Sequence, residues 1–123
     1  MFVNVYTNET ITFTDVPINI GDGMDRLTGT FTAPVSGVYS FSFSAQASND
    51  DPYTDIKVYQ NDEDQFRISD HNKNEQKNMP NIGYTWYMEL NQNDRVYLKV
   101  ISNALFCRES HFTWFNGHLL KAI

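Results

Sequence analysis

Phe31-Thr-Ala-Pro34-Val-Ser-Gly37-Val-Tyr39-Ser-Phe41-Ser-Phe43 joins a turn to a strand in which large aromatics alternate with small polar residues. Side chains of a β-strand point to opposite faces with period two. Tyr39, Phe41 and Phe43 therefore share one face, and Val38, Ser40, Ser42 and Ser44 share the other. The aromatic face has the bulk of a sandwich interior. The serine face is small and flat, and a flat face allows another sheet to approach closely.

The same pattern recurs outward from this strand. Short apolar-alternating runs are split by Gly, Asn, Asp and Pro, the signature of an all-β sandwich or barrel. Runs are expected at Phe2–Tyr6, Ile11–Val16, Leu27–Thr32, Val38–Ala47, Thr54–Gln60, Gln65–Ser69, Gly83–Leu90, Arg95–Ile101, within Ser102–Ser110, and over His111–Ile123. Asn61-Asp62-Glu63-Asp64 reads as a tight acidic turn and Asn91-Gln-Asn93-Asp94 as a hairpin turn. Asp70 to Asn81 is the most polar stretch and reads as a loop, where variable function concentrates. No amphipathic helix, internal repeat or low-complexity linker interrupts the series.

Length and composition narrow the function. At 123 residues the chain is one domain, residues 1–123, with enough mass for a single core. Nine Phe, seven Tyr and two Trp favour strands and large buried contacts. A formal charge of −6 and a pI near 4.8 argue against non-specific attraction to nucleic acid or anionic membrane. No apolar run approaches the roughly 20 residues of a spanning helix, so no membrane insertion is expected. Met1-Phe-Val-Asn lacks the charged and apolar regions of a secretory signal. Either the chain is intracellular, or Met1 stands where a signal has been removed.

Cys107 is the single cysteine and reads as a strand residue, with no intrachain disulfide to make. Asn8-Glu9-Thr10 fits the N-glycosylation triplet, relevant to a secreted chain. His71, His111 and His118 make no ligand spacing with one another or with Cys107. No nucleophile elbow, zinc signature, phosphate loop or dinucleotide fingerprint is present, so no catalytic residue is named and no cofactor is required. Two acidic clusters, Asn49-Asp50-Asp51 with Asp55 and Asp62-Glu63-Asp64, have the oxygen chemistry of calcium ligands without the EF-hand register.

Three ordered blocks resemble the globular-head domain of the complement C1q family. Phe13, Asn19, Met24, Phe31, Gly37, Tyr39, Phe41 and Phe43 keep every spacing of the family's first pattern, Met24 standing where an aromatic is usual. Leu90-Asn-Gln-Asn93-Asp94-Arg-Val96-Tyr-Leu98 looks like its Leu-x-x-Gly-Asp-x-Val-x-Leu hairpin, with Asn93 in place of Gly. Asn tolerates the left-handed conformation such a turn requires. Phe115-Asn-Gly117-His-Leu119-Leu120 is similar to the closing Phe-x-Gly-x-Leu-Leu strand. The resemblance covers about residues 11 to 121 and implies a ten-stranded antiparallel jelly roll shared with tumour necrosis factor, assembled as a homotrimer. The family's collagen stalk is missing from this sequence.

The resemblance also gives the two faces and the loops their expected roles. Phe13, Phe31, Tyr39, Phe41, Phe43, Val96 and Leu98 are expected in the core. Ser40, Ser42, Ser44, Tyr97 and Phe115 are expected at the trimer interface. The family's calcium site implies Asp70 and Asn72, one of its two Asp positions being absent here. Arg67, Asp70, Asn72, Lys73, Lys77 and Arg108 are candidate ligand-binding residues in or beside the polar loops. Tyr53, Tyr84, Trp86 and Trp114 are candidate sugar-stacking platforms. The implied function is a secreted, non-enzymatic pattern-recognition module of innate immunity that binds microbial or glycan ligands. The alternatives are a tumour necrosis factor- or cerebellin-like ligand of a cell-surface receptor, and an extracellular matrix component.

Overall fold

The computed structural model describes residues 2–5, 9–12, 23–25, 27–46, 54–70, 81–101, 104–107 and 114–123. Among these residues there are ten strands and no helix. They are β1 (Phe2–Val5), β2 (Met24–Asp25), β3 (Thr30–Thr32), β4 (Gly37–Gln46), β5 (Thr54–Gln60), β6 (Glu63–Asp70), β7 (Asn81–Leu90), β8 (Arg95–Val100), β9 (Ala104–Cys107) and β10 (Trp114–Ala122). One sheet has the order β10-β4-β7 and the other β2-β3-β8-β5-β6, all neighbours antiparallel. β1 and β9 form a separate two-stranded ribbon. The chain is an all-β jelly roll, and its two sandwich sheets hold eight of the ten strands among the described residues.

The chain passes between the two sandwich sheets at β3–β4, β4–β5, β6–β7 and β7–β8, so each sheet includes strands distant in sequence. Alternation then fills the space between them. β4 contributes Tyr39, Phe41 and Phe43, which are 1%, 0% and 2% exposed. Ile56, Val58, Val96, Leu98 and Val100 oppose them from β5 and β8, all buried. Phe41 sits at the centre. Its ring meets Phe31 edge-on across the sandwich, centroids 5.1 Å apart, and lies 5.6 Å from Trp86 and 6.0 Å from Phe115 within its own sheet. Each such ring removed from water stabilises by roughly 1.5–3 kcal/mol. Met24 pairs with Phe31 and is buried, so an apolar side chain of this size fills its place without an aromatic ring.

Individual motif residues have local physical reasons. The Tyr39 hydroxyl donates to the Val35 carbonyl at 2.6 Å and pins the turn that precedes β4. Gly117 pairs with Phe41, and a Cβ there would come within 2.5 Å of the Phe41 ring. Asn93 has φ of 74°, the left-handed conformation expected where Asn replaces Gly. Asn61 and Asp62 have φ of 51° and 74° and close the β5–β6 hairpin as a two-residue turn. The acidic turn is thus shorter than its sequence suggests, and β6 begins at Glu63.

A further strand boundary differs from the sequence reading at Leu27. Leu27 was expected to open a strand running to Thr32, but it lies in a turn and is 89% exposed. The Asp25 carboxylate accepts the Leu27 amide at 2.9 Å, and the Gly29 amide donates to the Asp25 carbonyl at 2.9 Å. This local bonding outweighs the strand preference of the flanking residues and delays the strand to β3 at Thr30.

These features set two expected stabilities. Gly117→Ala forces the Phe41 ring to shift and lowers the unfolding free energy in urea by about 1–3 kcal/mol. Asn93→Gly is neutral or mildly stabilising, whereas Asn93→Val costs about 1–2 kcal/mol because a branched Cβ opposes the left-handed turn.

Candidate functional site

The outer face of the β10-β4-β7 sheet is built from the small side of β4. Register places Ser40 beside Tyr87 on β7 and His118 on β10, Ser42 beside Thr85 and Asn116, and Ser44 beside Gly83 and Trp114. Ser42 and Thr85 are joined through their hydroxyls at 3.2 Å. Ser40 is buried, whereas Tyr87 stands 67% exposed. The result is a low, hydroxyl-rich surface with one large aromatic rising from its β7 side.

Tyr97 and Phe115 do not belong to this surface, contrary to the interface expected from alternation. Tyr97 lies on β8, in the other sheet, so its outward face is the opposite side of the sandwich. Phe115 pairs with Phe43, and cross-strand partners point the same way. It is 0% exposed and packs on Phe41 and Trp86. Alternation tells inside from outside on each strand but not which sheet a strand joins. Tyr87 was the missed residue; its spacing from Gly83 and Thr85 puts it in phase with the serines once the β4–β7 pairing is known.

The outside of the five-stranded sheet is chemically different. Tyr97 stacks on Tyr59 at 5.4 Å with ring planes 5° apart, and Lys99 Nζ lies 4.9 Å from the centre of the Tyr59 ring. The Tyr97 hydroxyl donates to Asp62 Oδ1 at 2.5 Å, and Arg95 Nη2 lies 3.3 Å from Asp62 Oδ2. The Tyr97 hydrogen bond is the main cause holding the Asp62 carboxyl below its usual range. Burial, together with the Asp62 charge and hydrogen bond, pushes the Tyr97 phenol up to about 12. Lys57 pairs with Asp64 at 3.2 Å and Arg67 with Asp55 at 3.1 Å.

These pairings bear on the acidic clusters. Asp62 turns to Tyr97 and Arg95, Asp64 turns to Lys57, and Asp55 is held by Arg67. These three carboxylates diverge instead of converging on one point, Asn49, Asp50 and Asp51 lie outside the described residues, and no group of three His, Cys, Asp or Glu among the described residues is arranged to hold a metal. Arg67, a candidate ligand contact, is committed to Asp55 on the sheet face. Asp70 closes β6 opposite Thr54. Asn72, Lys73, Lys77, Arg108, Asn8, Phe13, Tyr53, His71 and His111 lie outside the described residues. Of the candidate platforms, Trp86 is buried, with an indole nitrogen that has no partner among the described residues, and Tyr84 is 53% exposed. His118 is exposed on β10.

Asp94 ties one end of the sandwich together. Its carboxylate accepts Asn61 Nδ2 at 2.8 Å, the Asn91 amide at 2.9 Å and Gln60 Nε2 at 3.2 Å. Its carbonyl accepts the Ala33 amide at 2.8 Å. The bond from Asn61 is the largest of the effects that lower its pKa. Three turns therefore converge on the residue that follows Asn93 in the hairpin motif.

Two antiparallel sheets in this order, one with a hydroxyl-rich outer face and one with an ion-paired outer face, define a jelly-roll module of the complement-head and tumour necrosis factor type. The chain belongs to the C1q domain family, whose model matches residues 3–120. It is 33% identical over 114 residues to complement C1q tumor necrosis factor-related protein 3 of Mus musculus and 32% identical to that of Homo sapiens, covering 92% of this chain. It spans 45% of the length of those curated relatives. The globular domain of zebrafish complement 1qA superposes with a TM-score of 0.75 at 18% identity, over 100% of this chain and 93% of that one. The Eiger tumour necrosis factor of S. frugiperda superposes with a TM-score of 0.77 at 12% identity, over 99% and 87%. These two likenesses are of fold.

The two polar nodes give stability opposite limits in pH. The lowered Asp94 carboxyl contributes stability that is present above its unfolded value near 4 and is lost as pH falls through its folded value. The raised Tyr97 phenol contributes stability that is present below its ordinary value of 10.0 and is lost as pH rises towards about 12. Urea unfolding across pH is expected to show both losses, the alkaline one weakened in Tyr97→Phe and the acid one in Asp94→Asn.

Proposed function

We propose that the chain is a non-enzymatic recognition module that works as a homotrimer, with the outer face of the β10-β4-β7 sheet turned towards the threefold axis. The observation that carries the reading is the contrast between the two outer faces. The ion pairs between described residues lie on the five-stranded sheet, whereas Ser40, Ser42, Thr85 and the exposed Tyr87 make the other face flat, uncharged at its centre and anchored by an aromatic. Interface centres are depleted in charge and enriched in Tyr. A threefold ring closes head to tail, so the β7 side of one copy meets a different surface of the next.

In this reading the module is extracellular, and loops on the trimer bind microbial or glycan ligands. Three weak sites on one rigid body gain avidity without new contacts. Family membership supports recognition rather than catalysis, and fold alone does not choose the ligand. The ligand is therefore tested separately from assembly.

Light scattering after size exclusion is expected to give three times the 14.3 kDa chain mass. Tyr87→Asp is expected to release monomer, while Tyr59→Asp on the opposite sheet keeps the trimer. A wild-type monomer at micromolar concentration would overturn the assembly. Glycan arrays are expected to show saturable binding. Silent arrays together with saturable binding to one cell-surface protein would replace the glycan reading with the receptor one.

A further inference from the structure

The outer face of the β10-β4-β7 sheet carries opposite charges at its two edges. Register sets Glu89 of β7 beside Val38 of β4, and Val38 beside Lys121 of β10, so the three form one row across the sheet. Directly opposed residues share a face, and Val38 belongs to the serine side of β4. Glu89 and Lys121 are both exposed. Neighbouring strands lie about 4.8 Å apart, which separates β7 from β10 by roughly 10 Å across β4. Neither side chain has an ion-pair partner among the described residues, whereas Asp55, Asp62 and Asp64 on the other sheet each hold a basic one. The adjacent row repeats the layout without charge at its β7 end. There Tyr87, Ser40 and His118 stand in line, with Tyr87 and His118 exposed.

Symmetry gives these rows a consequence. A rotation moves no residue along its own axis. Where the strands run along a threefold axis, the residues of one cross-sheet row stay level from copy to copy. The β7 edge of one copy and the β10 edge of the next then meet row against row, Glu89 level with Lys121 and Tyr87 level with His118. A twofold contact through either edge brings that edge to its own copy. It would set Glu89 near Glu89 or Lys121 near Lys121, and like charges so placed oppose docking. Head-to-tail closure sets unlike charges together at every contact.

We infer that Glu89 of one copy pairs with Lys121 of the next around the threefold axis, so that the β7 and β10 edges are complementary to a second copy of this chain. The inference rests on the trimer reading and names the contact that closes the ring. The Lys121 ammonium donates to the Glu89 carboxylate, and Tyr87 packs beside them against His118 of the next copy. Beyond the β7 edge the sandwich opens towards β6 into a groove of about 310 Å³, lined in part by Phe66 and Met88. It lies on the side that the next copy covers.

The test is light scattering after size exclusion, run on the full chain over a dilution series. Each contact occurs three times in the ring, so one substitution acts three times. Glu89→Lys and Lys121→Glu are each expected to raise the concentration at which the trimer half-dissociates by about tenfold. The double exchange, Glu89→Lys with Lys121→Glu, restores unlike charges and is expected to return to within about threefold of wild type. Glu63→Lys, at an exposed site on β6, makes the same change in net charge as Glu89→Lys and is expected to leave dissociation at the wild-type value. A wild-type trimer that the single reversals leave unchanged, or that the double exchange fails to restore, overturns the pair and leaves the trimer standing. Equal weakening by Glu63→Lys also overturns the pair, since net charge alone would then account for the loss. A monomeric wild type removes the trimer reading itself, and the pair with it.

Discussion

The edge-to-face contact between Phe31 and Phe41 is the constraint on which the rest of the sandwich depends. It is the central point where an aromatic of one sheet meets an aromatic of the other, with centroids 5.1 Å apart. Everything around it is adjusted to that fit. Gly117 gives up its side chain so that the Phe41 ring can lie flat on β10. Trp86 and Phe115 stack on the same ring within 20° of parallel. Tyr39, one step along β4, packs edge-on against Phe31 and spends its hydroxyl on the turn at Val35. A close-packed interior transmits such local demands, which is why widely separated motif residues meet at one place.

Much of this was legible in the sequence, because period-two alternation and turn chemistry are local signals. The inward set on β4, β5 and β8 follows from alternation alone. The left-handed Asn93 follows from the hairpin pattern. What alternation does not carry is the partner of each strand. Tyr97 and Ser42 both point outward, yet they stand on opposite sides of the molecule because β8 and β4 belong to different sheets. Phe115 was assigned outward for the same reason; its phase is set by the register with Phe43, a long-range fact. Leu27 failed for the opposite cause. There the local signal was stronger than it looked, since the Asp25 carboxylate captures the Leu27 amide and turns the chain early.

The candidate site was less legible than the fold. The loops singled out for ligand contact hold Asn72, Lys73, Lys77 and Arg108, which lie outside the described residues, and Arg67 has a structural partner in Asp55. Acidic side chains close in sequence suggested a cation site, but Asp62 belongs to the β5–β6 turn and Asp64 to β6. Asp62 and Asp64 end with different basic partners accordingly. The groove between β6 and β7 had no sequence signal at all. It exists because two edge strands from different sheets come side by side.

The difference between the two outer faces bears on which of them can meet another protein. On the five-stranded sheet, Asp55, Asp62 and Asp64 each hold a basic side chain, and Lys99 lies over the Tyr59–Tyr97 stack. Covering that surface would strip water from several charges whose mutual attraction is modest at an exposed site, so burial gains little. On the three-stranded sheet the centre carries hydroxyls already bonded to each other, such as Ser42 with Thr85, and covering it exposes no charge to desolvation. Glu89 is the exception at its rim, an acid with no ion-pair partner among the described residues, in a row otherwise free of carboxylates. A face that is easy to dehydrate at its centre favours contact with a second sheet over the serines.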